Sequence, residues 1–227
     1  MPMTRVIGVD ACRKGWVGVT SDLRGYFGAS IDQLVAAADS DGELNVVAID
    51  IPIGLPLTGT RKADVLARGL VGKRRSSVFP TPIRPALLAT SYAEGSALNL
   101  RTTGKGITRQ AYGLGKKILE VDAWARTVDR RVIEVHPEVC FATLAGHPLE
   151  HSKWSWAGAE ERRRLLASAG IVVPAEIGVA GELAGVDDVL DAAVASWTAR
   201  RYAEGSATCH PDPPEQFDDG PVAAIWA

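Results

Sequence analysis

The 227-residue sequence is poor in cysteine, with three, and has no long apolar run. Cys12, Cys140 and Cys209 are odd in number, far apart and without a paired metal-ligand spacing. That argues against a disulfide framework and a zinc ribbon, and makes a reducing cytoplasm the expected compartment. No stretch approaches the roughly 18 apolar residues of a membrane-spanning helix, so no membrane partner is expected. The first ten residues hold one short apolar stretch before Asp10, which does not read as a secretory signal. Net charge is scarce too: 25 Lys+Arg against 27 Asp+Glu leave -2, which argues against coating of nucleic acid by bulk electrostatics. Internal repeats, low-complexity segments, DNA-reading motifs and zipper patterns are lacking.

What is present is a hydrophobic fraction of 46%, enough for a sizeable core, and a length that suits one large domain or one domain with an insertion. The near-neutral total conceals a strong asymmetry. Residues 1–60 carry a net charge of -3, residues 61–131 carry +10 and residues 132–227 carry -9. In the middle block, Arg61, Lys62, Arg68, Lys73, Arg74 and Arg75 are opposed only by Asp64. Such a run is either a solvated helical face or a local anion-binding surface.

Apolar patterning predicts strands at 4–10, 16–20 and 25–29, a helix at 31–38 and a continuous apolar strand at 45–50. Pro52, Gly54 and Pro56 then stop regular structure, and three prolines at 78–85 predict an ordered loop. A helix at 108–127, a strand at 131–135 closed by Pro137, a helix at 159–169 and a final helix at 186–203 follow. The tail, 206–227, is rich in Pro, Asp and Gly and is predicted to be irregular. Strands mixed with helices in this order indicate a layered α/β domain with a mixed sheet. Residues 52–106 form a basic insertion after the fourth strand, within one domain spanning 1–227.

Each of the three confident core strands carries one carboxylate: Asp10, Asp50 and Glu134. A single acid at a strand end is usually a turn former, but burying carboxylates at three apolar strands is costly unless a cation compensates. The final helix adds Asp187, Asp188 and Asp191. Dipole complementation explains the first two better than Asp191, which lies deeper, beside the apolar stripe. Converging, these acids would suit Mg2+ or Mn2+, and two such ions about 4 Å apart could drive in-line phosphodiester displacement.

Six segments together resemble one family: GVDACRKGWVGV at 8–19, AIDIPIGLP at 48–56, KRRSSVFPTPIR at 73–84, ITRQAYGLGKKILEVD at 107–122, EVHPEVCFATLAG at 134–146 and DDVLDAAVASW at 187–197. The chain resembles the predicted RNase H-like nuclease family known as domain of unknown function 429. The resemblance implies a ribonuclease H-like sheet flanked by helices, with a family-specific insertion. It carries the acidic set of the wider superfamily onto Asp10, Asp50, Glu134 and Asp191, with either Asp187 or Asp188 joining Asp191. Its implied activity is metal-dependent hydrolysis of nucleic-acid phosphodiesters.

Further candidates are His136 as a proton shuttle or a packed strand end, and Arg74, Arg75 and Arg84 as phosphate-gripping or solvated guanidiniums. Gln110 is a substrate-orienting or helix-capping residue, and Cys12 is read as a packed side chain. Two other functions compete with the nuclease. An actin- or sugar-kinase-like phosphotransferase shares this core, but residues 11–16 lack the hydroxyl expected in a phosphate-cradling loop. A non-catalytic module binding nucleic acid or protein would use the acids structurally. Homo-oligomer formation is compatible with the sequence.

Overall fold

The computed structural model describes residues 4–218 and 220–227. Residues 1–3, part of the segment read for a secretory signal, and Asp219 in the tail lie outside the described residues. In chain order the elements are β1 (Val6–Cys12), β2 (Gly15–Thr20), β3 (Gly25–Gly28), α1 (Ile31–Asp39), β4 (Val46–Ile49), α2 (Lys62–Leu70), α3 (Arg84–Leu87), α4 (Tyr92–Thr103) and α5 (Arg109–Ala125). There follow β5 (Arg131–Val135), α6 (Pro137–Ala145), α7 (Trp156–Ser168), α8 (Val179–Leu183), α9 (Val186–Ala203), β6 (Cys209–Glu215) and β7 (Ala223–Trp226). The mixed α/β class is as the patterning predicts. No described helix is long and apolar enough to cross a membrane.

The chain forms two compact units. The first takes in the chain up to Ile51, Asp129–Thr208 and Trp226–Ala227. Its sheet runs in the order β3-β2-β1-β4-β5, with β1–β2 and β2–β3 antiparallel and β1–β4 and β4–β5 parallel. The β-branched, apolar strands β1, β2 and β4 are almost wholly buried, as strands covered on both faces must be. Ser30 caps α1 by accepting the Gln33 N–H at 3.2 Å, and Leu34 of that helix packs over Gly18 and Gly28 on one face.

The other face carries α9, whose residues from Val189 to Ser196 are all buried. Its short Ala192, Ala193 and Ala195 let its backbone approach β1 closely, and Gly8 supplies the matching gap: a Cβ there would overlap the Ser196 nitrogen and Ala192 oxygen. One-residue alternation then fixes which side chains face α9. Gly8, Asp10 and Cys12 do so from β1, as do Ala48 and Val46 from β4 and Ile133 and Val135 from β5.

The second unit holds Pro52–Val128 and Cys209–Ile225, a wider range than the predicted insertion at 52–106. Its core gathers Ile83, Ala86, Ile107 and Ala111 from α3, α5 and the flanking loops. The turn after α4 is closed by Gly104 in the left-handed conformation (φ 76°). The tail differs from the expectation of irregular structure, because β6 and β7 are neighbouring strands. Pro211, Pro213 and Pro214 cannot donate ladder hydrogen bonds, but β6 lies at the sheet edge, where such donors are dispensable. Strand β5 ends at Val135 ahead of Pro137, as read, but Pro137 also opens a helix, α6, that the patterning does not predict. Pro137 occupies the first helical position, where a missing N–H costs nothing.

Candidate active site

Within the first unit, three of the sequence-predicted acids occupy one neighbourhood. Asp10 is near the end of β1, and its carboxylate accepts the Ala11 N–H at 2.7 Å. Asp50 follows β4, where its own N–H donates to Val9 O at 2.9 Å, continuing the parallel pairing that sets it beside Asp10. Asp191 projects from α9 with 2% of its surface exposed, and Asp10 has 5%. Asp188, one turn earlier, closes the helix start: its Oδ2 accepts the Gly185 N–H at 2.9 Å, and its charge acts on Asp10.

Glu134 is buried but is not brought to this cluster by the sheet pleat. It pairs in register with Ile49, which pairs with Val9, so its row lies on the face opposite Asp10 and Asp191. The sequence shows an acid in each of three strands but not the phase of the third. The groups on the β5 side that act on Asp50 are instead His136, half-buried at the start of α6, and Glu138 in its first turn.

Sequence reasoning did not single out Lys153. Its Nζ donates to Asp191 Oδ2 at 2.6 Å and stands 3.3 Å from Asp187 Oδ2. The loop presenting it is tied down at several points. Ser155 Oγ donates to Ser152 O at 2.8 Å and accepts the Gly158 N–H at 3.0 Å as the cap of α7. Gly158 permits this closure, since a Cβ there would overlap Ser152 O. Arg162, fully buried on α7, anchors the assembly by donating to Glu138 Oε1 at 2.6 Å, His151 O at 3.2 Å and Gly158 O at 3.1 Å. Trp154 is held by its edge: the residue is 83% exposed, while its Nε1 donates to Asp187 Oδ2 at 3.2 Å.

The electrostatics follow from burial. Loss of water raises the Asp10 carboxyl well above the usual range, and the charges of Asp50 and Asp191 raise it further. Burial also raises Asp50, against the opposing pull of His136 and Lys153. Asp191 is pushed up to about 7 by burial, even with the Lys153 ammonium in contact. For Lys153, burial alone would favour the neutral amine, but Asp191, Asp10 and Asp50 outweigh it and hold the ammonium charged. One lysine cation thus faces three crowded carboxylates. Cys140, whose thiol burial pushes to about 12, is inert, and Cys12 is packed in the core as expected.

A stability signature follows. In the folded state these acids keep protons that the unfolded chain has already released, so their contribution favours the fold at low pH. It is lost as pH rises from about 4 towards 7. In chelator, wild type is expected to lose about 1–2 kcal/mol more between pH 5 and 7 than Asp191→Asn, a figure below the full shift because the acids titrate together. Urea denaturation at both pH values measures the difference.

The donor set suits a hard divalent ion. All donors are carboxylate oxygens, the chemistry that Mg2+ and Mn2+ require, and their raised affinity for protons marks a demand for positive charge. Lys153 is a stand-in cation at that spot. Among the described residues, no three or more His, Cys, Asp or Glu side chains converge tightly enough to hold a metal as they stand. The oxygen donors therefore match such an ion in chemistry, while a lysine ammonium is seated among them and holds them apart from a ready-made metal geometry.

The second unit contains the remaining candidates. Arg84 is committed internally: its guanidinium forks onto both oxygens of Asp122 and stands 3.4 Å from Asp218, which Arg126 also meets at 2.7 Å. Arg84 is thus neither a free phosphate grip nor a solvated guanidinium, since its fork is filled. Arg74 ends a short 3-10 turn and is half-buried, while Arg75 and Gln110 are exposed. Gln110 is the second residue of α5, whose cap is the Thr108 hydroxyl, accepting the Ala111 N–H at 3.1 Å. Lys73, Lys105 and Lys116 are exposed on the same unit.

No curated protein and no solved structure matched the chain. A family model described as a protein of unknown function matches residues 8–216. The chain, carrying its acids and their surrounding motifs inside that span, belongs to the DUF429 family.

Proposed function

We propose that the chain is a divalent-metal-dependent nuclease of ribonuclease H-like architecture that hydrolyses phosphodiester bonds of nucleic acid. The observation that carries this reading is the meeting of buried Asp10 and Asp191 with half-buried Asp50, from two parallel neighbouring strands and the helix lying across them, beside the Lys153 ammonium. A sheet ordered 3-2-1-4-5, antiparallel over its first three strands and parallel thereafter, supports the architecture but not the chemistry.

Asp10, Asp50 and Asp191 are the residues that would hold Mg2+ or Mn2+, with Asp188 at the edge of the set. Bound there, the ion would supply Lewis-acid stabilisation of the charge that develops on a phosphodiester during in-line displacement. Burial keeps the carboxylates in a poorly screened setting where their attraction for a cation is strongest. His136, whose charge acts on Asp50, is the candidate proton shuttle in this reading. The exposed Lys73, Arg75, Lys105 and Lys116 give the second unit phosphate-binding charge independent of base identity.

The test is cleavage of single-stranded, duplex and branched DNA and RNA by the full chain in Mg2+ or Mn2+, with a chelator control. Metal-dependent cleavage supports the reading, and its absence on every substrate removes it. The Lys153–Asp191 pair favours a second reading, a non-catalytic module in which the ammonium permanently neutralises the acids. Tight nucleic-acid or protein binding without affinity for Mn2+ would support that alternative.

A further inference from the structure

A lysine inside a carboxylate cluster needs its own explanation. Lys153 comes from neither the sheet nor α9, but from the turn that ends at the cap of α7. The turn is pinned from below by Arg162 and Glu138, so the backbone position of Lys153 is fixed while its four-carbon stem remains jointed. About a quarter of the side chain is exposed, whereas its partner Asp191 is almost wholly enclosed. The lysine side chain is therefore partly in contact with solvent, whereas the Asp191 carboxylate is not.

We propose that Lys153 is an exchangeable internal cation, which occupies the divalent-ion position in the metal-free protein and swings into solvent when Mg2+ or Mn2+ binds. The inference rests on the nuclease reading for the identity of the ion and adds the residue that controls its entry. The ammonium holds Asp191 Oδ2 at 2.6 Å, and a divalent ion on the same carboxylate would repel it at close range, which favours release of the lysine when the ion binds. In the metal-free state the lysine stabilises acids that would otherwise be buried without compensation. When an ion binds, the same side chain emerges beside the exposed Trp154, at the mouth of the site, where a phosphate could meet it.

Site-resolved amine labelling tests this directly, with exposed Lys73 as the internal reference. Lys153 should label slowly in chelator, and saturating Mg2+ should raise its rate about tenfold or more. Asp191→Asn, which removes the seat, should label fast without any ion. Mn2+ titration calorimetry provides the second measurement. Lys153→Met should bind Mn2+ about tenfold or more tightly than wild type, while Lys153→Arg retains the weaker wild-type affinity. Mn2+ binding by Lys153→Met alone would show a lysine that blocks the ion without exchanging, and would overturn the proposal. If wild type binds Mn2+ but Lys153 labelling does not change, the exchange is overturned and the metal site stands. If neither wild type nor Lys153→Met binds Mn2+, both the exchange and the metal-dependent reading fall.

Discussion

Asp10→Asn is expected to lower metal-dependent cleavage by on the order of 10³-fold while leaving the chain folded. Asn keeps the size and the acceptor oxygen that meets the Ala11 N–H, but it removes the charge that an ion needs. Two effects then separate. The metal-free fold loses a buried, destabilised carboxylate and should melt no lower than wild type, because Asp10 is crowded by Asp50 and Asp191. Activity, on the proposed reading, loses one of the ion's ligands. A mutant that is inactive and also less stable would instead mark Asp10 as structural, and thermal melts beside initial rates distinguish the cases.

Gly8→Val carries the largest expected effect on stability, about 3 kcal/mol or more, enough to prevent soluble expression. The atoms that a Cβ would overlap belong to the backbone of α9 and cannot rotate away. Relief would require the whole helix to lift from β1, taking Asp191 out of the cluster. Gly69→Ala is the control. It lies within α2, a Cβ there would meet no atom within 4 Å, and the better helix propensity of Ala should add about 0.5–1 kcal/mol. Urea denaturation of the two variants against wild type reads both signs.

Much of this arrangement is legible in the sequence, for identifiable reasons. Apolar runs that lead into Asp10 and Asp50 mark two of the acids, although β1 itself continues past Asp10 to Cys12. Asp191 stands out because it lies too deep in α9 for its charge to serve the helix start. Glu134 illustrates what an isolated strand cannot reveal: Arg131–Val135 carries one charged residue among apolar ones on each face, so its pattern carries no phase, and only pairing with Ile49 defines its side. Lys153 is hidden for a different reason. Loop geometry depends on Ser152, Ser155, Gly158 and Arg162 acting together, and no periodicity announces such a turn. The basic block is legible as charge but not as structure, since Arg84 and Arg126 are spent on Asp122 and Asp218. The strands of the tail are obscured by prolines that a sheet edge tolerates.

Crystals of the full chain in saturating Mn2+, with data collected for anomalous scattering, bear most directly on the carboxylate cluster. A manganese peak about 2.2 Å from carboxylate oxygens of Asp10 and Asp191, with Lys153 turned into solvent, is the expected result. Absence of a peak there, with the Lys153 ammonium still on Asp191, would contradict a metal-dependent site and leave the acids a structural role.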